Sequence, residues 1–379
     1  MKKHTIHTVS RRGFVAGSTA LAGTLAAPGL VRAQGAPIKV GLIHPVTGFV
    51  AYNGQQGRLG ATMAVEDVNK AGGIKAMGGA KLEPLLGDSQ SKVEVGVAEV
   101  EKMNEQGVAA YIGCFQSPVT IAATQAASKY GTPFLVDVAA SDVIVNRGLK
   151  NTFRLMPGFG VCVDQGIAAL GALNKAANNV AKTAVIVHES GEFGTGTAKL
   201  LASKLPSIGI EAKEVIGHDN PTRNFDNIAL RIRSLAPDIV MMSNYQNEYM
   251  LLARTLYQQK VNVAGFYSIL GGGFNYKFVK EMPDVSQYMM DVNHWFNPKS
   301  EKAQALKKRV EAGGALFTFE VYLAYSTAML LADSLERAGS ADKAKLTQAV
   351  ASSTFKADLM PYGPTKFVNG QNQGAQPGV

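Results

Sequence analysis

Two serine-bearing segments stand where apolar runs give way to small residues, and their type and position suit the capture of an anion. Ser117 follows the run Ala109–Ile112 across Gly113, Cys114, Phe115 and Gln116, and precedes a helical pattern from Val119 to Tyr130. Its hydroxyl and the neighbouring main-chain N–H groups therefore sit at the positive end of a helix, where negative charge is stabilised. The same position suits a plain helix N-cap, and the two roles are compatible. Ala139, Ala140 and Ser141 close the next apolar run, Pro133–Val136, and so fall on the same rim. Small side chains there let main-chain N–H and C=O groups approach a guest closely, and Ser141 adds a hydroxyl.

Aromatic residues hold comparable places further along. Phe193 and Gly194 open a helix after the run Ala184–Val187, and Tyr245 follows Asp238–Met242. At the front, Ile38–Ile43 enters Thr47–Gly57, a mouth rich in small, hydroxyl and amide side chains that includes the aromatic Tyr52. Ala61, Ala64, Val65 and Val68 then recur at helical spacing opposite Glu66, Asp67, Asn69 and Lys70. A buried strand that runs into a glycine-rich mouth and then an amphipathic helix is how an open α/β sheet builds a ligand crevice. His44, beside this mouth, reads as a rim histidine with its own partner, within reach of a ligand.

Catalytic chemistry finds little footing. The chain has no phosphate-loop G-x-x-x-x-G-K-[ST], no G-x-S-x-G elbow and no H-E-x-x-H. Its histidines, at 4, 7, 44, 188, 218 and 294, form no metal-ligand spacing, and the expectation is a binding protein with no cofactor, no metal and no enzymatic activity. Cys114 and Cys162 are too few for a disulfide scaffold or a cysteine-based metal site, and both read as unpaired buried thiols.

The elements that must position these groups alternate between strand and helix, the α/β signature. Strand patterns at Lys81–Gly87, Ala109–Ile112 and Pro133–Val136 alternate with helical ones at Val93–Met103 and Val119–Tyr130. The pattern then restarts, with helices at Val163–Asn178, Phe193–Leu205, Phe225–Leu235 and Glu248–Gln259 between strands at Ala184–Val187, Glu211–Ile216, Asp238–Met242 and Ala264–Tyr267. Three further helices, near Glu301–Ala312, Thr318–Ala338 and Ala341–Ser352, must pack back on the rest. The expected fold is α/β, two doubly wound open-sheet lobes.

The first 33 residues read as an export signal. Lys2, Lys3, Arg11 and Arg12 precede a Gly/Ala/Ser-rich apolar stretch, Val31-Arg32-Ala33 offers a cleavage site, and Ser10-Arg11-Arg12-Gly13-Phe14 looks like a twin-arginine motif. Removing the segment takes away five basic residues and lowers the formal charge from +9 to +4, with 33 basic residues against 29 acidic ones. Lys302, Lys307, Lys308 and Arg309 form the densest remaining basic cluster, a solvated helix face and no stripe for nucleic acid.

The stretch Ile38–Gly73, together with Ser117 and the Ala139–Ser141 turn, closely resembles the periplasmic solute-binding proteins of the leucine/isoleucine/valine type, receptors of ABC importers. The resemblance implies a type I periplasmic binding protein fold whose lobes share a multi-crossing hinge, with crossings near Phe153–Pro157, Val292–Pro298 and the end of the last long helices. It puts residues 36–155 and about 295–340 in the first lobe, 156–294 and about 341–379 in the second, and a terminal hairpin that is missing or shortened. It implies a periplasmic location, a permease partner in the inner membrane, and a ligand carboxylate held by Ser117, Ala139 and Ser141. Tyr52 lies in the matching mouth, and Phe193 and Tyr245 match ligand-contacting aromatics of the second jaw. At Leu270–Gly273 the family's amino-acid receptors carry an acidic residue for the ligand's ammonium, whereas this chain has Gly271 and its glycine neighbours. A buried ammonium without an anionic partner is costly, so an aromatic or 2-oxo acid fits better than a branched-chain amino acid, with Glu248 or Asp137 as stand-in partners. Amides and ureas, a sensory subunit and a hydrolase are the alternatives.

Overall fold

Short runs of aliphatic residues that are buried on both faces form parallel strands, because only helices packed on each side of a sheet can cover such runs. The computed structural model describes residues 35–376, apart from the side chain of Phe274; the expected export signal lies outside them. The strands are β1 Ile38–His44, β2 Leu82–Asp88, β3 Ala110–Gly113, β4 Phe134–Val136, β5 Thr152–Arg154, β6 Thr183–Glu189, β7 Glu211–His218, β8 Ile239–Ser243, β9 Gly265–Ile269, β10 Met289–Val292, β11 Phe367–Val368 and β12 Gln371–Asn372. They make two sheets, in the orders β11-β12-β5-β4-β3-β1-β2 and β10-β9-β8-β6-β7. All neighbours are parallel except the β11–β12 hairpin. In each sheet the first strand of the series, β1 or β6, has its successor on one side and the next strand on the other. That is the topological switch point, outside whose carboxyl ends ligands bind in open α/β sheets.

Each sheet is a middle layer. Val40, Leu42, Ile112 and Leu135 face a cluster shared with helices Ala51–Lys70 and Phe319–Ala338, while Ile43, Tyr111, Phe134 and Val136 face a second cluster under helices Val93–Glu105 and Ser117–Ser128. The second sheet repeats the scheme with Ala184, Ile186 and Met241 on one face and Val185, Val187 and Val240 on the other. The helix after β1 begins at Ala51, so the expected mouth shrinks to a short turn and Tyr52 and Asn53 lie in the first helical turn. Its glycines serve close packing: a Cβ at Gly60 would fall 2.0 Å from the Val321 carbonyl oxygen.

The chain passes from the first sheet to the second between β5 and helix Phe159–Ala176, and returns between β10 and helix Glu301–Ala312, near two of the expected crossings. The expected assignment of 341–379 to the second lobe is corrected for its described part. Leu346, Val350, Leu359 and Tyr362 join the first lobe's core, and β12 pairs with β5 at Gln371–Arg154. The reason is the sheet edge: β5 would otherwise expose an unpaired main chain, and the hairpin covers it. Both cysteines are free and buried, Cys114 beyond β3 and Cys162 in the first turn of helix Phe159–Ala176. Among the described residues no helix is long and apolar enough to cross a membrane.

Candidate functional site

A cavity lies where the two series of strand ends meet, the place where open α/β sheets receive small molecules. The first lobe contributes Asn53 beyond β1, Phe115 and Ser117 beyond β3, Val138 and Ala140 beyond β4, and Phe319. The second contributes Phe193 beyond β6, Asn244, Tyr245 and Gln246 beyond β8, and Leu270, Gly271, Gly272 and Asn275 beyond β9. Asn293 and His294, on the returning crossing, complete the wall. Nearly every lining residue thus follows a strand, because the parallel sheets deliver all their carboxyl ends to one edge.

Four of the seven residues singled out from the sequence line this cavity: Ser117, Phe193, Tyr245 and Gly271. Ser117 is the first residue of its helix, behind Gln116 as N-cap, and its Oγ accepts the Ser141 N–H at 3.2 Å. That leaves the hydroxyl hydrogen to donate. Ala139, Ser141 and Tyr52 are not among the lining residues. Ala139 faces the apolar cluster behind the sheet, and Ala140, one position on, takes its expected place. Ser141 is fully buried and occupied: its Oγ donates to Glu192 Oε1 at 3.0 Å and accepts the Val143 N–H, and its carbonyl accepts from Arg154. It holds the loop that holds Ser117. Tyr52 lies beneath Lys277, whose Nζ sits 4.5 Å from the ring centroid.

Tyr245 is the hub of the aromatic wall, with Phe49, Phe115 and Phe193 at centroid distances of 5.9, 5.9 and 5.4 Å. Its hydroxyl faces the Ser117 main-chain amide without a hydrogen bond of good geometry, and burial, then Glu189 and Glu248, raise its pKa. The glycine run beyond β9 is small because it is crowded. A Cβ at Gly272 would lie 2.6 Å from Gln246 Cα, and one at Gly271 2.8 Å from Asp291 Oδ2. The two suggested acidic stand-ins do not line the cavity either. Asp137 is bonded through Oδ2 to His44 Nε2 at 2.7 Å, which gives His44 its partner, and Glu248 is buried beside the wall rather than turned outward.

No lining residue carries an acidic side chain or a lysine or arginine. Burial, helped by Arg154, pulls His294 down to about 3, so it is neutral. Arg154 is itself buried behind the Ala140–Ser141 turn, donating to both carbonyls at 2.7 and 2.6 Å and to Asp142 Oδ1 at 2.7 Å. Its Nη1 reaches the carbonyl of Ala140, a lining residue, so a positive group paired with Asp142 stands behind that part of the wall. Burial also raises carboxyls packed around the cavity, Glu248 and Glu320 to about 7. Such a group is protonated in the folded state where the unfolded chain has released its proton, so its stability contribution is intact below about pH 4 and is lost as pH rises through about 7. His218 and His294 act in the opposite sense, because burial lowers them. The test is therefore differential: Glu320→Gln should gain stability relative to the parent protein by about 2–3 kcal/mol more at pH 8 than at pH 5, read by chemical denaturation at both. An equal difference at the two values would refute it.

The lobes touch across the cavity. Asn53 Nδ2 donates to Gln246 Oε1 at 2.9 Å and also to Glu320 Oε1, and Asn247 Nδ2 donates to the Phe49 carbonyl at 2.7 Å. Sequence reasoning missed Asn53, Asn244, Asn275, Asn293 and His294. Asn53 and Asn244 carried a signal, since each neighbours a chosen tyrosine beyond a strand. Asn293 and His294 belonged to a segment read only as a crossing.

A family model described as "Periplasmic binding protein" matches residues 37–379. The leucine-, isoleucine-, valine-, threonine- and alanine-binding protein of Pseudomonas aeruginosa is 28% identical over 323 residues, covering 84% of this chain and 83% of its own. Leu/Ile/Val-binding protein homolog 7 of Brucella melitensis is 25% identical over 364 residues, covering 90% and 88%. Among solved structures, a branched-chain amino acid transporter substrate binding protein from Streptococcus pneumoniae in complex with isoleucine matches with a TM-score of 0.77 at 19% identity, over 89% of this chain and 93% of that one. A solute binding protein of an ABC transporter from R. palustris in complex with benzoate matches at 0.75 and 21%, over 90% and 91%. At these identities the structures establish the fold: two α/β lobes with parallel sheets.

Proposed function

This chain belongs to the periplasmic binding protein family, and we propose that it captures a small organic acid lacking an ammonium group and delivers it to an ABC permease in the inner membrane. The observation that carries this reading is the cavity wall itself. It offers the Ser117 hydroxyl at a helix N-terminus, with Arg154 behind the adjoining turn, and no carboxylate. A ligand carboxylate gains charge-assisted hydrogen bonds there, whereas an α-ammonium loses its hydration and meets no anion. The aromatic wall of Phe115, Phe193, Tyr245 and Phe319 suits a flat or branched apolar body, as in an aromatic or 2-oxo acid.

The relative from Pseudomonas aeruginosa is named for aliphatic amino acids and threonine, and the structure from R. palustris holds benzoate. The uncharged wall favours the benzoate-like class for this chain over the amino acids. In this reading ligand capture closes the two lobes, and the contacts between them, from Asn53 to Gln246 and from Tyr245 to Phe49 and Phe115, support it. Such contacts bias the equilibrium only by what they add in the closed state.

A thermal-shift screen of the mature protein against aromatic acids, 2-oxo acids, branched-chain amino acids and small amides tests the ligand class, since a specific ligand raises apparent stability by mass action. Acids should shift the midpoint and leucine should not; a shift with leucine alone overturns the reading. For the acid that binds, Ser117→Ala should weaken affinity by about 1.5–3 kcal/mol, roughly ten- to a hundredfold. Calorimetric titration with unchanged affinity would remove Ser117 from the site.

A further inference from the structure

Resting on that reading of the cavity, we propose that the ligand is a hydroxylated carboxylic acid, whose hydroxyl is received by Asn244 and Asn275 of the second lobe while its carboxylate faces Ser117. Both asparagines line the cavity and are buried, at 0% and 1% exposure, and each keeps one polar atom without a partner. Which atom is left over follows from chemistry on the far side of each amide.

Behind Asn244 stands His218. Its Nδ1 lies 2.9 Å from the Asp219 carbonyl oxygen, which can only accept, so Nδ1 carries the proton. Burial lowers the pKa of this ring and keeps it neutral, so Nε2 is a bare acceptor. The Asn244 amide contacts that Nε2, and only its NH₂ end can donate there. The orientation of Asn244 is thereby fixed, with Oδ1 left as an unpartnered acceptor. At Asn275 the logic runs the other way. Its Oδ1 accepts the Lys277 N–H at 3.0 Å, capping the short helix Tyr276–Glu281, which leaves Nδ2 as an unpartnered donor.

The second lobe therefore holds one acceptor and one donor in place, and the Tyr245 hydroxyl, also unpartnered, can play either part. Buried groups of this kind are costly until something pairs with them. An ammonium supplies donors only and would leave Asn275 Nδ2 unmatched. An unsubstituted hydrocarbon end supplies neither. A hydroxyl supplies one donor and two acceptor lone pairs, which matches the pair without bringing charge into an uncharged wall. The two residues can serve one group because their loops follow neighbouring strands, β8 and β9, and are packed together where Gly272 meets Gln246.

The test compares acids that differ by one hydroxyl, benzoate against meta- and para-hydroxybenzoate and phenylacetate against para-hydroxyphenylacetate, by calorimetric titration of the mature protein. At least one hydroxy acid should bind about tenfold or more tightly than its parent acid. In Asn244→Leu the ratio of the two affinities should fall toward one. In Asn275→Ser, which keeps a capping oxygen but loses Nδ2, the ratio should fall while the unfolding midpoint holds. Binding of parent and hydroxy acids with equal affinity overturns the inference and leaves the acid receptor standing. Preference for para-carbamoylbenzoate over every hydroxy acid replaces hydroxyl by amide and overturns it too. Failure of every acid to bind overturns the receptor reading itself, and this inference with it.

Discussion

Arg154→Ala should destabilise the protein by about 3–5 kcal/mol, the usual cost of leaving a buried charge network without its central partner. The guanidinium is 1% exposed and serves four acceptors: the Ala140 and Ser141 carbonyls, Asp142 Oδ1 and Gln371 Oε1. These lie on the turn that carries one rim of the cavity and on the hairpin that covers the edge of the first sheet, so a single side chain ties the site to the C-terminal segment. Alanine leaves two carbonyls short of a donor and a cavity the size of the lost side chain. Lysine should rescue little, because a single ammonium cannot reproduce a planar fork that bonds in several directions. Urea denaturation at pH 7 of the parent, Arg154→Ala and Arg154→Lys forms measures both statements. A loss below about 1 kcal/mol for alanine would show that the turn is held by its own geometry, and near-complete rescue by lysine would show that charge alone matters.

The role of Arg154 is not legible in the chain. Its neighbours Thr152, Phe153 and Leu155 give a run too short and too mixed to register as a strand, and the resemblance implies only a crossing between lobes near Phe153–Pro157. Only the pairing of β5 with β4 and β12 makes it a strand, and that pairing depends on a hairpin more than 200 residues away in sequence. The long helices and the central strands, by contrast, were evident because their periodicity is local. The helix Glu301–Ala312 agrees to the residue, and Ser117, Phe193 and Tyr245 line the cavity because each lies a few residues beyond an apolar run. Ala139 was missed by one position for the same reason that it was nearly found. Knowing that a strand ends near Val136 fixes the loop but not which alternate residue turns to the cavity, and here it is Ala140. Glu248 shows the opposite failure: a charged residue in a first helical turn is usually solvated, and only the packing of Tyr245 and Glu189 around it reveals a buried acid.

Tyr245→Ala should weaken ligand binding by at least about a hundredfold, a cost near 3 kcal/mol. Loss of the buried ring also lowers stability, by about 3–5 kcal/mol for a large aromatic in a well-packed site, but that cost falls on the free and the bound protein alike and leaves the affinity unchanged. The affinity loss comes from the ring's contact with the ligand and from its contacts across the lobes. Phe193 belongs to the same lobe as Tyr245, whereas the contacts with Phe49 and Phe115 run from one lobe to the other, so the proposed opening would break those two and keep the first. Two such aromatic pairs are each worth about 0.5–1.5 kcal/mol, and losing them moves the conformational equilibrium toward the open form against which the ligand must then work. Tyr245→Phe separates the ring from its hydroxyl: it should keep closure and lose only the polar contact. Titration calorimetry for affinity, with small-angle scattering for the compaction that ligand induces, distinguishes these contributions. If Tyr245→Ala lowers only the unfolding midpoint while affinity and compaction are unchanged, the ring is core and the jaw is built by other residues.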